Sequence, residues 1–141
     1  MSTYISVELR RQVADRAKGC CAYCRSAERL MGVTFEMDHI TPESAGGLTV
    51  LENLCLSCPV CNRFKTNRLL ASDPVTQEVI ALFHPLREEW YHHFQWIENG
   101  TQLLGLTPIG RATIVALHMN RDAIIQLRRY WVMLGLHPPA Y

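Results

Sequence analysis

Two Cys-x-x-Cys pairs, Cys21/Cys24 and Cys58/Cys61, constrain this chain more than any other feature. Each pair is a knuckle whose backbone turn aims two sulfurs at one metal. Four thiolates close the tetrahedral shell of a structural zinc, and that ion contributes folding energy outright. Whatever lies between the knuckles must then fold as a closed loop on the staple. Thirty-three residues, 25–57, intervene, whereas the common zinc pattern of this kind has about 15 to 20. The extra length has to house something. Competing readings of the cysteines are a redox dithiol or buried thiols. The two remaining cysteines, Cys20 and Cys55, read as small buried hydrophobes.

The rest of the composition narrows the class. A chain of 141 residues with 48% apolar and 19% charged side chains suits a globular protein of a single compact unit. No apolar run approaches the roughly 18 residues that a membrane span needs. The start, Met-Ser-Thr-Tyr-Ile-Ser-Val-Glu, lacks a charged region followed by an apolar one. The expected location is therefore cytoplasmic, where thiols stay reduced and available to zinc. Net charge is +1, but residues 1–72 carry nine basic and seven acidic side chains, residues 73–106 one and five, and residues 107–141 four and one. So small a total excludes strong non-specific capture of nucleic acid and requires any such site to be local.

Hydrophobic spacing predicts a helix over residues 7–18, with Leu9, Val13 and Ala17 on one face, Ser6 as N-cap and Gly19 as stop. Its arginines, Arg10, Arg11 and Arg16, read as solvated. Residues 33–38 alternate like a strand, a loop punctuated by Pro42 and Gly46-Gly47 follows, and residues 53–56 return as a second short strand. A helix over residues 60–70 follows the second knuckle. Beyond Asp73-Pro74 the pattern predicts a strand at residues 78–83, a helix at 85–94 and a hairpin turning on Asn99-Gly100. Two helices close the chain, from Thr107-Pro108 to about Met119 and from about Arg121 to Leu134, before an extended tail at His137-Pro138-Pro139. The organisation read from this is a stapled core at residues 1–72 and an α/β extension at 73–141.

The loop between the knuckles carries Asp38-His39 and Asn53, and Asn62 lies just past the second knuckle. Hydrolysing a phosphodiester needs an activated water, neutralised phosphoryl oxygens and a stabilised leaving group. His39 is neutral often enough at physiological pH to take a proton from water. Asp38 and Asn62 offer hard oxygens that suit magnesium or manganese better than zinc. Neighbours on a strand point to opposite faces, so Asp38 and His39 converge only where the strand ends and turns. Asn62 and Lys65 share a helical face, so Lys65 is placed to reach a phosphate, while Arg63 and Arg68 are candidate phosphate contacts or solvated charge. Blander readings are a structural histidine at 39, a strand-end cap at 38 and a helix cap at 62.

The order Cys-x-x-Cys, Asp-His-Ile-x-Pro, Gly-Gly, Glu-Asn-Leu, Cys-x-x-Cys-Asn-x-x-Lys resembles the HNH endonucleases in their zinc-stapled ββα-metal form, over about residues 7–70. Many relatives place histidine where this chain has Asn62, and others place an asparagine there. The resemblance implies an α+β fold with a small ββα core stapled by Zn2+ and a C-terminal β-hairpin and helices packed on it. It also implies that His39 is the general base, that Asp38 and Asn62 hold a catalytic Mg2+ or Mn2+, and that Asn53 steadies the His39 loop. DNA would be the substrate, with RNA as an alternative, cleaved to a 5′-phosphate and a 3′-hydroxyl by a monomer or homodimer. In the C-terminal half, Trp90, His92, His93, Phe94 and Trp96 read as core aromatics rather than base-stacking groups, and His84, His118 and His137 as structural or surface residues. Arg111 lies where one closing helix opens, and Arg121, Arg128 and Arg129 flank or sit in the next; helix starts suit phosphate, but Leu117, Ile124, Ile125, Leu127 and Trp131 make the two helices read chiefly as a packing pair. The opposing reading of the whole is a non-catalytic zinc module that binds nucleic acid or protein.

Overall fold

A computed structural model describes residues 4–140, so the expectation drawn from the start of the chain falls partly on Met1–Thr3, outside the described residues. The fold is α+β, built from helices and two-stranded antiparallel sheets. It divides into two compact units: residues up to Asn67 with His84–Arg87, and Arg68–Phe83 with the residues from Glu88 onward. Each is described by itself.

In the first unit, α1 (Val7–Arg16) starts where the Ser6 hydroxyl accepts a hydrogen bond from the Leu9 amide at 3.1 Å, satisfying one of the orphan donors of a helix N-terminus. Its single fully buried residue is Val13. Arg16 is not simply solvated: its guanidinium donates to the carbonyls of Leu51 and Leu54, joining the helix to the start of β2. A four-residue helix, α2 (Glu28–Met31), precedes β1 (Glu36–His39), which pairs antiparallel with β2 (Leu54–Ser57). The register is Glu36↔Ser57, Met37↔Leu56, Asp38↔Cys55 and His39↔Leu54. Buried on every residue, β2 forms the floor of the unit with Val13, Tyr23, Phe35 and Ile40.

Helix α3 (Pro59–Lys65) then starts at Cys58, with Pro59 in its first turn, where its missing N–H costs nothing. It is shorter than the 60–70 span expected from the sequence because Thr66 takes a φ of 48° and ends it. The order β1, β2, α3 is the strand, loop, strand and helix that the motif spacing suggests.

The second unit contains β3 (Leu70–Ser72) paired with β4 (Val79–Ala81), the short helix α4 (Trp90–His93), the hairpin of β5 (Phe94–Ile97) with β6 (Gln102–Gly105), and helices α5 (Pro108–Ala116) and α6 (Asp122–Met133). Two expectations change. The helix at 85–94 contracts to the four residues of α4, and residues 98–101 form a four-residue turn in which Glu98, Asn99 and Gly100 all have positive φ. Trp90 and Phe94 are core residues, with ring centroids 5.0 Å apart. Arg128 is fully buried and donates to the carbonyls of Thr101 and Met119, while Arg111 makes a two-pronged pair with Asp73 at 2.9 and 2.8 Å. Both arginines are spent on structure, so neither is free for a phosphate at a helix start.

Candidate metal centre and candidate active site

Two tight turns bring the four cysteines together. In the first, Cys21 N donates to Ser26 O and Ala22 N to Leu56 O, which seats the knuckle on β2. In the second, Cys58 caps α3 and its sulfur accepts from the Cys61 amide at 3.3 Å. The sulfurs of Cys21, Cys24, Cys58 and Cys61 lie within 4.8 Å of one another, and the Cys24 and Cys58 sulfurs are 3.8 Å apart. A tetrahedron with Zn–S bonds of about 2.3 Å has edges of about 3.8 Å. All four residues are fully buried. Burial, reinforced by hydrogen bonding to its neighbours, pushes the Cys21 thiol well up, whereas donors from Cys21, Cys58 and Cys61 pull Cys24 well down. Four thiolates cannot coexist there without a cation, and the donor set is that of a structural metal such as zinc.

Two of the expected site residues, His39 and Asn53, serve the loop over residues 40–53. His39 closes β1 and its side chain is 16% exposed. Its Nε2 lies 2.9 Å from the Thr49 hydroxyl and 3.8 Å from Glu43 Oε1. Asn53 closes the loop from inside. Its Oδ1 accepts from Thr41 N, and its Nδ2 donates to the carbonyls of Thr41 and Leu48, each at 2.9 Å. Gly47 is required beside this clasp, since a Cβ there would lie 1.7 Å from Thr41 O and 2.8 Å from Asn53 Nδ2.

The other face of β1 meets α3. Asp38 is only 3% exposed, and its Oδ2 accepts from the Tyr23 hydroxyl at 2.7 Å. The Cys55 thiol approaches the same oxygen at 3.7 Å. Burial raises both of these donors' pKa values, so each keeps its proton. Burial also pushes the Asp38 carboxyl up, against the opposing pull of Lys65 and Tyr23. Lys65 pairs with Asp38 at 3.2 Å and is itself 2% exposed. It therefore does not face a phosphate, although its helical spacing from Asn62 suggests that it does. Asn62 takes a different carboxylate, donating from Nδ2 to Glu36 Oε2 at 2.7 Å. Of the two other candidate phosphate contacts, Arg63 is exposed on α3 and Arg68 is exposed in the second unit.

The structure thus sorts the expected residues into four small groups: His39 with Thr49, Asn53 with the loop backbone, Asp38 with Lys65, and Asn62 with Glu36. Sequence reasoning missed Thr49, Tyr23 and Glu36. For Glu36 a signal existed, because residues i and i+2 of a strand share a face and Asp38 was already singled out.

Residues 21–68 match the family model described as HNH endonuclease. Neither the curated proteins nor the solved structures give a match. The matched span contains both knuckles, the β1–β2 hairpin and α3. Over residues 21–68 this chain is thus similar to an HNH endonuclease domain, and that stretch carries a four-cysteine cluster positioned to bind a metal.

Proposed function

We propose that this chain is a metal-dependent endonuclease that hydrolyses phosphodiester bonds of DNA, with His39 as general base and zinc on the four cysteines. The observation that carries this reading is the anchoring of His39 at the strand end. Nε2 lies 2.9 Å from the Thr49 hydroxyl and 3.8 Å from Glu43 Oε1, and in the tautomer that carries its proton on Nε2 the Nδ1 lone pair takes a proton from water. Asn53 steadies the loop that carries Thr49 by tying down Thr41 and Leu48, the residue just before it.

Between β1 and α3 lie the Glu36 and Asp38 carboxylates from the strand and the Asn62 amide from the helix, whose oxygens are of the kind that suits a hard divalent cation. Asp38 and Asn62 would hold Mg2+ or Mn2+; Oδ2 of Asp38 already accepts from Tyr23 and Cys55, so Asp38 would offer the ion Oδ1, beside Lys65. Such an ion would supply charge neutralisation at the phosphoryl group. Arg63, exposed one residue beyond Asn62, would steady a neighbouring phosphate. Products with a 5′-phosphate and a 3′-hydroxyl, and action in the cytoplasm, complete the reading. No helix among the described residues is long and apolar enough to cross a membrane.

The engagement of Asp38 by Lys65 favours one second reading, a zinc module that binds nucleic acid or protein without cutting it. Incubation with plasmid and Mg2+ or Mn2+, alongside His39→Ala and Asp38→Ala, separates the two. The nuclease loses cleavage in both variants while retaining one equivalent of zinc, whereas the binding module shifts plasmid mobility without cutting it in any form.

A further inference from the structure

Lys65 is a buried charge for which the proposed reaction has no task. Its ammonium lies 3.2 Å from Asp38 Oδ2 and 3.3 Å from Oδ1, 3.3 Å from the His39 carbonyl and 3.2 Å from the Ile40 carbonyl. An ammonium has three protons to donate, and here four inward acceptors share them. Stability alone is a poor reason to keep such a group, since apolar residues of similar volume often replace a buried ion pair with no loss.

The carbonyls distinguish this lysine from an ordinary ion pair. Consecutive carbonyls of an extended strand point to opposite sides. Two that converge on one cation mark the place where the strand stops and the chain turns. That place is the step from His39 to Ile40, and Ile40 is also tied at its amide to the Asn53 carbonyl.

We propose that Lys65 is a positioning residue: it sets the direction in which His39 leaves β1 and keeps the Asp38 carboxylate against α3, without touching substrate. The proposal rests on the nuclease reading above. A lysine that gripped phosphate would contribute chiefly to substrate affinity, and its loss would raise KM. A lysine that holds the turn contributes to the geometry of the reacting groups, and its loss lowers kcat.

The test compares Lys65→Met and Lys65→Gln in the zinc-loaded full chain, with steady-state cleavage of plasmid and amide hydrogen exchange read on the same preparations. For Lys65→Met the expected fall in kcat is about a hundredfold, the size of effect that a displacement of roughly 1 Å produces. KM stays within about threefold, because binding contacts are untouched. The Ile40 and Thr41 amides exchange at least tenfold faster, while those of α1 do not change. Lys65→Gln, which retains a donor for the carbonyls, falls between Lys65→Met and the wild type.

Wild-type kcat and exchange in Lys65→Met would overturn the proposal, as would a rise in KM alone. Unfolding of both variants with loss of zinc would overturn it too, by reducing Lys65 to a structural ion pair. Exchange needs no substrate. A wild type that cuts nothing would therefore refute the nuclease reading, while exchange at Ile40 and Thr41 still decides what Lys65 holds.

Discussion

Replacing Asn53 tests how the loop that flanks His39 is held. Asn53→Ala removes three hydrogen bonds of 2.9 Å, one from Thr41 N and two to the carbonyls of Thr41 and Leu48. Each is worth about 0.5–1.5 kcal/mol net, and the site is partly exposed, so water recovers some of the loss and the total should be about 2 kcal/mol. Asn53→Asp is the sharper variant. It nearly preserves shape and the acceptor for Thr41 N, but it turns an anionic oxygen toward two carbonyls, so at neutral pH it should destabilise at least as much as Asn53→Ala. An account based on side-chain size alone predicts the opposite order. The tryptophans, Trp90, Trp96 and Trp131, all lie in the second unit and report poorly on this loop. Hydrogen exchange of the amides over residues 39–49 is the suitable assay, and about 2 kcal/mol corresponds to roughly thirtyfold faster exchange. Thr49 would loosen with the loop, and cleavage should fall at least tenfold through misplacement of His39. Unchanged exchange in both variants, or Asn53→Asp behaving like wild type, would refute the clasp.

Three further outcomes follow from the same structure. Gly47→Ala should reproduce the Asn53 phenotype, since its Cβ would meet Thr41 O at 1.7 Å, and this is checked by the same exchange measurement. Cys58→Ser, or zinc removal by a chelator, should abolish amide protection in the first unit, because a structural zinc contributes about 10–16 kcal/mol, as much as a whole domain's stability; metal analysis and exchange read it out. Asp73 should make the second unit acid-sensitive. The Arg111 guanidinium bonded to it, with the Val75 amide and Thr76 hydroxyl, holds its carboxyl well below the usual range. The folded state thus binds its proton less readily than the unfolded state, so the stabilisation is complete above an unfolded-state pKa of about 3.9 and is lost as pH falls toward the depressed value. Asp73→Asn should flatten melting, followed by tryptophan fluorescence, between pH 5 and 3, a window set by that roughly 3.9 reference.

The knuckles, the β1–β2 hairpin and the start of α3 were legible because each is written locally, in Cys-x-x-Cys spacing, strand alternation and a cysteine followed by proline. What escaped reading depends on partners far apart in sequence. Lys65 and Asp38 are 27 residues apart, and only the antiparallel register of β1 with β2 and the docking of α3 turn one toward the other. Helical spacing correctly put Asn62 and Lys65 on one face, but it could not say that this face meets β1 rather than solvent. The early end of α3 was hidden for a different reason, since Thr66 carries no composition signal for a positive φ. Asn99-Gly100 marked the right turn and the wrong length, because Glu98 joins them in the left-handed region.

The nuclease reading requires that His39 does chemistry rather than structural work. Zinc-loaded wild type and His39→Ala should be incubated with supercoiled plasmid and Mg2+ or Mn2+, with zinc content and melting measured on both. The wild type should give nicked or linear product and the variant about a hundredfold less or lower still, the scale of general-base catalysis, with zinc and melting unchanged. Equal cleavage by both proteins, or none by the wild type across both metals, would contradict it.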